Sequence, residues 1–177
     1  MGAGAVAVLE IEIRPALPAD AAFLVDMLIT SCFPPDGPLP GPAQALRFPH
    51  AARWLRPPVG PGDQAVVAWV ADRPAGAAVG RRFTLAEPGW GVVAPEVLEL
   101  SMAVVPAQRG RGVGRALLRG FLARLVEAGE RAASLAVSLR NEPALRLYRR
   151  GGFREVKSDG QRLVMLWKSD GAGPGPA

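Results

Sequence analysis

The spacing of apolar and polar positions changes several times along the chain, and each change marks an element. From Glu10 to Arg14 the two kinds of residue alternate with the period of two that a half-buried strand requires, and Pro15 stops the run. Pro18, Ala19 and Asp20 then open a helix, because Phe23, Leu24, Met27 and Leu28 follow at spacings of three and four. Between residues 33 and 61 proline and glycine dominate, although 42–55 holds enough Ala, Leu, Phe and Trp for a short second helix. Residues 64–71 and 75–83 are Val- and Ala-rich runs joined by Asp72, Arg73 and Pro74, the pattern of a hairpin. Residues 97–105 form a further strand closed by Pro106, whose ring removes a ladder donor. Helical spacing returns in 112–128 with Leu118, Phe121, Leu122 and Leu125, and Gly129 suits its C-cap. A strand at 133–137, a short helix at 143–150 ended by Gly151 and Gly152, and a hairpin of 153–157 with 163–167 complete the pattern. No internal repeat is visible. This order predicts a mixed α/β fold in which hairpin strands precede one βαβ unit, unlike a regularly alternating dinucleotide-binding domain.

Composition narrows the chemistry. A chain of 177 residues buries roughly 70% of its unfolded surface as one domain, so it needs no covalent staples. We expect a single domain over 1–169 and a low-complexity, disordered tail over 170–177. The only Cys is Cys32 and the only His is His50, which removes an internal disulfide and leaves the common zinc constellations without ligands, so no metal is expected. No G-x-S-x-G frame is present to make a serine nucleophile elbow. No run of 18 apolar residues is available to span a membrane. Residues 1–9 are apolar but lack a basic region and meet Glu10 and Glu12, a poor signal peptide, and Val6 stands where myristoylation wants Ser or Thr. A cytoplasmic home is the expectation. The net charge of +5 comes almost wholly from arginine, only Lys157 and Lys168 being lysines, in an Ala-, Gly- and Pro-rich chain typical of a GC-rich genome. Such a balance does not by itself point to nucleic acid.

Where the arginines fall is more informative. Arg109, Gly110, Arg111, Gly112, Val113, Gly114 and Arg115 join a predicted strand to a predicted helix. Glycines let a backbone approach a ligand closely, and the free N–H groups and partial positive charge of a helix start suit a pyrophosphate. Three arginines beside that positive end cost roughly 0.3–1 kcal/mol each at low salt, a conflict that a bound anion relieves. The alternative is a solvated arginine face. The spacing fits neither the G-x-G-x-x-G dinucleotide fingerprint nor the Walker loop.

Arg109, Gly112 and Gly114 match R/Q-x-x-G-x-G/A, and Asn141, Ala144, Leu147, Tyr148, Gly152 and Phe153 match N-x-x-A-x-x-L-Y-x-x-x-G-F. In these two motifs, in this order, the chain resembles the GNAT superfamily of acetyl-coenzyme A-dependent N-acetyltransferases. The likeness extends from about Ile11 to Trp167 and is sharp between Val97 and Phe153. It implies a mostly antiparallel central sheet with helices on both faces, acetyl-coenzyme A as co-substrate, and transfer to a primary amine, with a small-molecule acceptor favoured. It also implies that the strand before the loop splays from its neighbour and holds the cofactor's pantetheine arm through Met102, Ala103 and Val104, the Val104 N–H serving as oxyanion donor. The loop from Arg109 to Arg115 and Asn141 would complete the cofactor site.

Amine acetylation needs a neutral nucleophile, a polarised carbonyl and a proton for the departing thiolate. Tyr148, the only Tyr, stands in the second motif and fits the general acid, although a Tyr on a short helix is also an ordinary core residue. Glu99 lies in an otherwise apolar strand, where its pKa would be raised toward that of a useful base; the alternative is an outward-facing or arginine-paired Glu. Some relatives carry a Glu five residues before the Asn, and here that position is Ala136. Asn141 also suits a plain helix N-cap.

Two other classes stay in view. A regulatory domain that binds acyl-coenzyme A without turnover would keep the cradle alone, and an arginine-rich nucleic-acid module would interleave aromatics, of which 109–150 holds only Phe121 and Tyr148. We expect no nucleic-acid or membrane partner; a homodimer is one assembly open to the chain. A protein N-terminus or lysine is the alternative acceptor. Acceptor choice is expected to lie in 33–69, a mobile, substrate-facing segment with Asp36 and Asp63, Arg47, Arg53 and Arg56, and the walls Phe33, Phe48, His50 and Trp54. Three arginines against two acids favour a small or monocationic amine, or one that also carries a carboxylate, over a polyamine.

Overall fold

A computed structural model of the chain describes residues 10–33, 37–57 and 59–169. Its seven strands are β1 (Ile11–Pro15), β2 (Gln64–Val70), β3 (Arg73–Arg81), β4 (Leu98–Val104), β5 (Ala132–Ser138), β6 (Arg154–Ser158) and β7 (Arg162–Lys168). They form one sheet in the order β1-β2-β3-β4-β5-β7-β6. Every adjacent pair is antiparallel except β4 and β5. That exception follows from helix α4 (Val113–Glu127), the crossover that a parallel pair requires. Helices α1 (Ala21–Cys32), α2 (Pro42–Ala45) and α3 (Pro49–Leu55) cover one face, and α4 with α5 (Glu142–Arg150) the other. The mostly antiparallel sheet with helices on both faces is the expected fold.

Covering both faces explains why the central strands read as nearly continuous Val and Ala runs rather than strict alternations. Val66, Ala68, Leu98 and Leu100 pack toward α4, while Ala65, Val67, Ala77 and Val79 pack toward α1 and α3. A polar residue on β4 therefore has no solvent face to turn to. Glu99, Ser101 and Ala103 point toward the α1 side and are buried.

Three expectations need correction. The stretch 42–55 is two helices rather than one, because Pro49 within it cannot donate to the preceding turn and its ring clashes with that turn; it starts α3 instead. The first hairpin turns at Ala71 and Asp72, both left-handed with φ of +48° and +56°, and Arg73 and Pro74 belong to β3. Residues 18–20 form a 3-10 turn ahead of α1 rather than its first turn. The expectations for Asp36, for 1–9 and for 170–177 lie outside the described residues.

One buried ion pair fixes α3 to the sheet. Arg81 at the end of β3 donates through Nε and Nη2 to Asp63 Oδ2 at 3.0 and 2.5 Å. Its remaining donors meet the carbonyls of Arg53, Trp54 and Pro57 at 2.6, 3.0 and 2.6 Å. A cation on the last carbonyls of a helix satisfies groups that have no partner within it. Asp63 is thus committed to structure and is not an acid facing an acceptor.

Candidate functional site

β4 and β5 pair at only two positions, Leu98 with Ala133 and Glu99 with Ser134, and then separate. Their separation opens a cleft of about 1930 Å³. The Val105 N–H donates to the Ala75 carbonyl on β3 at 2.9 Å. In an antiparallel ladder alternate residues bond the same neighbour, so Leu100, Met102 and Val104 turn their N–H and C=O groups the other way, into the gap that β5 has left. The Arg109 Nε–H donates to the Val104 carbonyl at 3.0 Å, consistent with that direction. The expected splay, and a Val104 N–H open to the cleft, are both present.

At one end of the cleft stands the start of α4. Gly112 caps it at φ +87°, in the left-handed region where only glycine is unstrained, and no side chain caps the first N–H groups. Arg109, Gly110, Gly112, Gly114 and Arg115 line the cleft together with Met102, Ala103, Val104 and Asn141. Arg111 and Val113 do not line it: Arg111 turns to Gln108 Oε1 at 3.2 Å, and the Val113 side chain is fully buried beneath the loop. Asn141 does cap α5, its Oδ1 accepting from the Ala144 N–H at 3.2 Å, and it also faces the cleft. A row of backbone donors continuing into an uncapped, arginine-flanked helix start fits an extended ligand that ends in phosphates.

Two titratable groups line the cleft from opposite faces of the sheet. Glu99 is buried, its Oε2 has no hydrogen-bond partner, and desolvation pushes its carboxyl up to about 7, moderated by a Gly91 N–H and the charge of Arg53. Tyr148 comes from α5 on the α4 side, packs against Phe153 with ring centroids 5.7 Å apart, and is pushed up to about 12 by burial alone. Both line the cleft. Desolvation acts on them oppositely in effect: it makes Glu99 a half-ionised base near neutrality and keeps the Tyr148 phenol protonated.

The far end is built largely of side chains. Of the residues expected there, Phe33, His50, Arg53 and Trp54 line the cleft, Arg47 and Arg56 do not, and Phe48 backs the lining by packing on Phe33 at 5.2 Å. Sequence reasoning missed Trp90, in the loop between β3 and β4, and Arg162 on β7. Trp90 stacks on His50 with ring centroids 4.5 Å apart and 19° between planes, and the Arg162 guanidinium lies 4.0 Å over the same indole. The flanking glycines allow this. A Cβ on Gly89 would collide with the Glu99 carboxylate, and one on Gly91 would lie 2.5 Å from the Leu135 backbone. The triplet Gly89, Trp90, Gly91 was a legible signal, since two glycines around an exposed aromatic mark a backbone held close to something. Among the described residues no group of three or more His, Cys, Asp or Glu could hold a metal ion, and no helix is long and apolar enough to cross a membrane.

Residues 27–153 match the model of the acetyltransferase (GNAT) family. A mycothiol acetyltransferase of Clavibacter sepedonicus is 43% identical over 60 residues, 34% of this chain and 20% of that protein. The chain thus spans only a fifth of the length of that curated relative. A GCN5-related N-acetyltransferase from Kribbella flavida superposes with a TM-score of 0.63 at 27% identity, covering 90% of this chain and 98% of the other. The yncA protein of Salmonella typhimurium, solved with its cofactor acetyl-CoA, has a TM-score of 0.63 at 19% identity, covering 94% and 98%.

Proposed function

The chain belongs to the acetyltransferase (GNAT) family, whose members use acetyl-coenzyme A, and from that premise we propose that it acetylates the primary amine of a small molecule. The observation that carries this reading is the cleft that opens where β4 releases β5, lined by the start of α4 and by Glu99 and Tyr148. Acetyl-coenzyme A, when bound, supplies the acetyl thioester and the thiolate that leaves. The residues fitted to hold it are Met102, Ala103 and Val104 along the gap, the backbone from Gly110 to Gly114, and Arg109, Arg115 and Asn141 around it. Arg111 and Val113 contribute through the loop backbone only.

Each chemical role then falls to a group with suitable properties. An amine arrives protonated at neutral pH, and Glu99, with a pKa near 7, takes that proton directly or through a water. The Val104 N–H, turned into the gap, would serve as the oxyanion donor to the thioester oxygen of bound acetyl-coenzyme A. Tyr148 stays protonated and donates to the departing sulfur. A phenol near 12 is a weak acid toward a solvated thiolate, but the same dry surroundings raise the basicity of the sulfur too, so a hydrogen bond strengthening along the reaction suffices. Neither nucleic acid nor a membrane enters this reading. The test is free-thiol release from acetyl-coenzyme A across a panel of small amines, a lysine peptide and a peptide N-terminus. Release with small amines supports the reading; release with peptides alone moves the acceptor to protein; binding without release from any amine leaves a regulatory acyl-coenzyme A-binding domain.

A further inference from the structure

Resting on the reading above, the far end of the cleft carries a statement about which amine it takes. We propose that the acceptor is an amine with a carboxylate on the adjacent carbon and a flat apolar side chain, the chemistry of an aromatic α-amino acid, with Arg53 holding the carboxylate and Trp90 walling the side chain.

Charge comes first. Glu99 is the single carboxylate among the described residues lining the cleft, whereas Arg53 and Arg162 stand at the acceptor end. One buried acid cannot compensate several ammonium groups, and each further cation would be desolvated beside guanidiniums. Polyamines are therefore poor guests. Arg53 is placed for the opposite task. Its Nη1–H is pinned by the Pro88 carbonyl, it has no carboxylate partner among the described residues, and it lies close enough to act electrostatically on both Glu99 and His50. Arg162 differs, being paired with Asp159 at 3.5 Å and laid over Trp90. An amine delivered to Glu99 thus brings a carboxylate on its neighbouring carbon into the end of the cleft that Arg53 lines, within electrostatic reach of Glu99. The fork of an arginine matches a carboxylate with two parallel donors.

Shape comes second. Phe33 and Trp90, with His50 between them at 5.4 and 4.5 Å, form an aromatic wall whose position is set rather than adaptable. Trp90 is 45% exposed in spite of those contacts, which leaves part of its indole open at the cleft. The glycines on either side hold it there, one against Glu99 and the other against β5. With His50 and the Arg162 guanidinium already over the indole, a planar side chain meets the exposed part of Trp90 edge-on, more favourably than an extended polar one does.

The experiment measures thiol release from saturating acetyl-coenzyme A with glycine, leucine, phenylalanine, phenylalaninamide, 2-phenylethylamine and spermidine. The expected order places phenylalanine first, with kcat/KM about tenfold to a hundredfold above its amide and above 2-phenylethylamine, the range of a charge-assisted hydrogen bond, and rising from glycine to leucine to phenylalanine. Arg53→Gln should collapse the ratio of acid to amide through KM, and Trp90→Ala should flatten the side-chain ladder. An amide or spermidine accepted as well as phenylalanine overturns the inference and leaves the transferase reading intact. Calorimetric binding of acetyl-coenzyme A with no release from any of the six amines or from the peptides overturns both. The acid-to-amide ratio of the unaltered enzyme decides the matter even where a variant does not fold.

Discussion

Beside α4 the groups that would meet a ligand belong to the backbone: the N–H groups of β4 turned into the gap, and those of Gly112 to Gly114 at an uncapped helix start. Beside α1 and α3 they are side chains, from Phe33, His50, Arg53, Trp90 and Arg162 on four separate segments. A backbone site needs few particular residues, only glycines where φ or close approach demands them, and it serves any acceptor equally. A side-chain site can change completely without disturbing the sheet. The difference teaches that one scaffold keeps a constant donor of the acetyl group and a variable recipient, with Glu99 and Tyr148 at the seam between them.

The seam gives the largest expected effect. Tyr148→Phe keeps the ring against Phe153 and removes only the hydroxyl. Turnover should fall by roughly 10² to 10⁴, the usual worth of a positioned proton donor, while the thermal midpoint stays put. Steady-state kinetics beside a melt checks this; a variant as fast as the parent makes Tyr148 purely structural.

Next comes the anchor of the side-chain end. Asp63→Ala leaves the Arg81 guanidinium buried without a counter-charge, and removing one partner of such a pair costs about 3–5 kcal/mol. Because Arg81 holds the last carbonyls of α3, the acceptor KM should rise along with the loss measured by urea unfolding. Affinity for acetyl-coenzyme A should change less, since the cofactor end of β4, Met102 to Val104, pairs with β3 at Gly76 to Ala78, away from Arg81. Equal damage at both ends would erase the distinction between them.

Glu99 links the ends through pH. Its folded pKa of about 7 lies above the usual 4.5, so the folded state holds the proton more tightly and ionisation opposes folding. Nothing is lost below pH 4.5; the penalty grows between 4.5 and 7 and is constant above, on the order of 3 kcal/mol. Glu99→Gln should therefore be more stable than the parent at pH 8 and equal to it at pH 4. The same change should abolish the rise in kcat/KM through pH 7. Melting midpoints across that range, with a pH–rate profile, check both signs.

These contrasts explain what could be seen in the chain before its structure. The loop from Arg109 to Arg115 and the run from Asn141 to Phe153 are contiguous, so their spacing carries the family resemblance, and it is that resemblance which implies the splay of the strand before the loop. The burial of Glu99 was half legible: its apolar neighbours Leu98 and Leu100 suggested it, but an outward-facing or arginine-paired Glu stayed open until the sheet showed both faces covered. The pairing of Arg162 with Trp90 was not legible at all, since only the sheet order β5-β7 brings residue 162 beside a loop 72 positions earlier. Asp63 was misjudged because composition cannot reveal that an acid 18 residues before Arg81 is its partner. Arg111 was assigned to the cofactor by motif position, whereas its side chain found Gln108.

The smallest effect probes whether the cofactor end is truly made of backbone. At Gly112 the nearest atom to an added Cβ is Ile11 Cδ1 at 4.0 Å, so Gly112→Ala meets no collision within the protein. Its difficulty is the φ of +87°, worth about 1–2 kcal/mol for an L-residue. The strain is relieved if the loop swings to negative φ, and that movement takes the first N–H groups of α4 away from the cleft. Calorimetry should then read at least a tenfold loss of acetyl-coenzyme A affinity, with acceptor KM unchanged within about twofold. Gly114→Ala is the internal control: it is not left-handed, and its Cβ would rest in ordinary contact with Leu147 Cδ2 at 3.4 Å, so it should lose less. If Gly112→Ala binds as tightly as the parent, the N–H groups are not the cradle and the arginines must hold the phosphates instead.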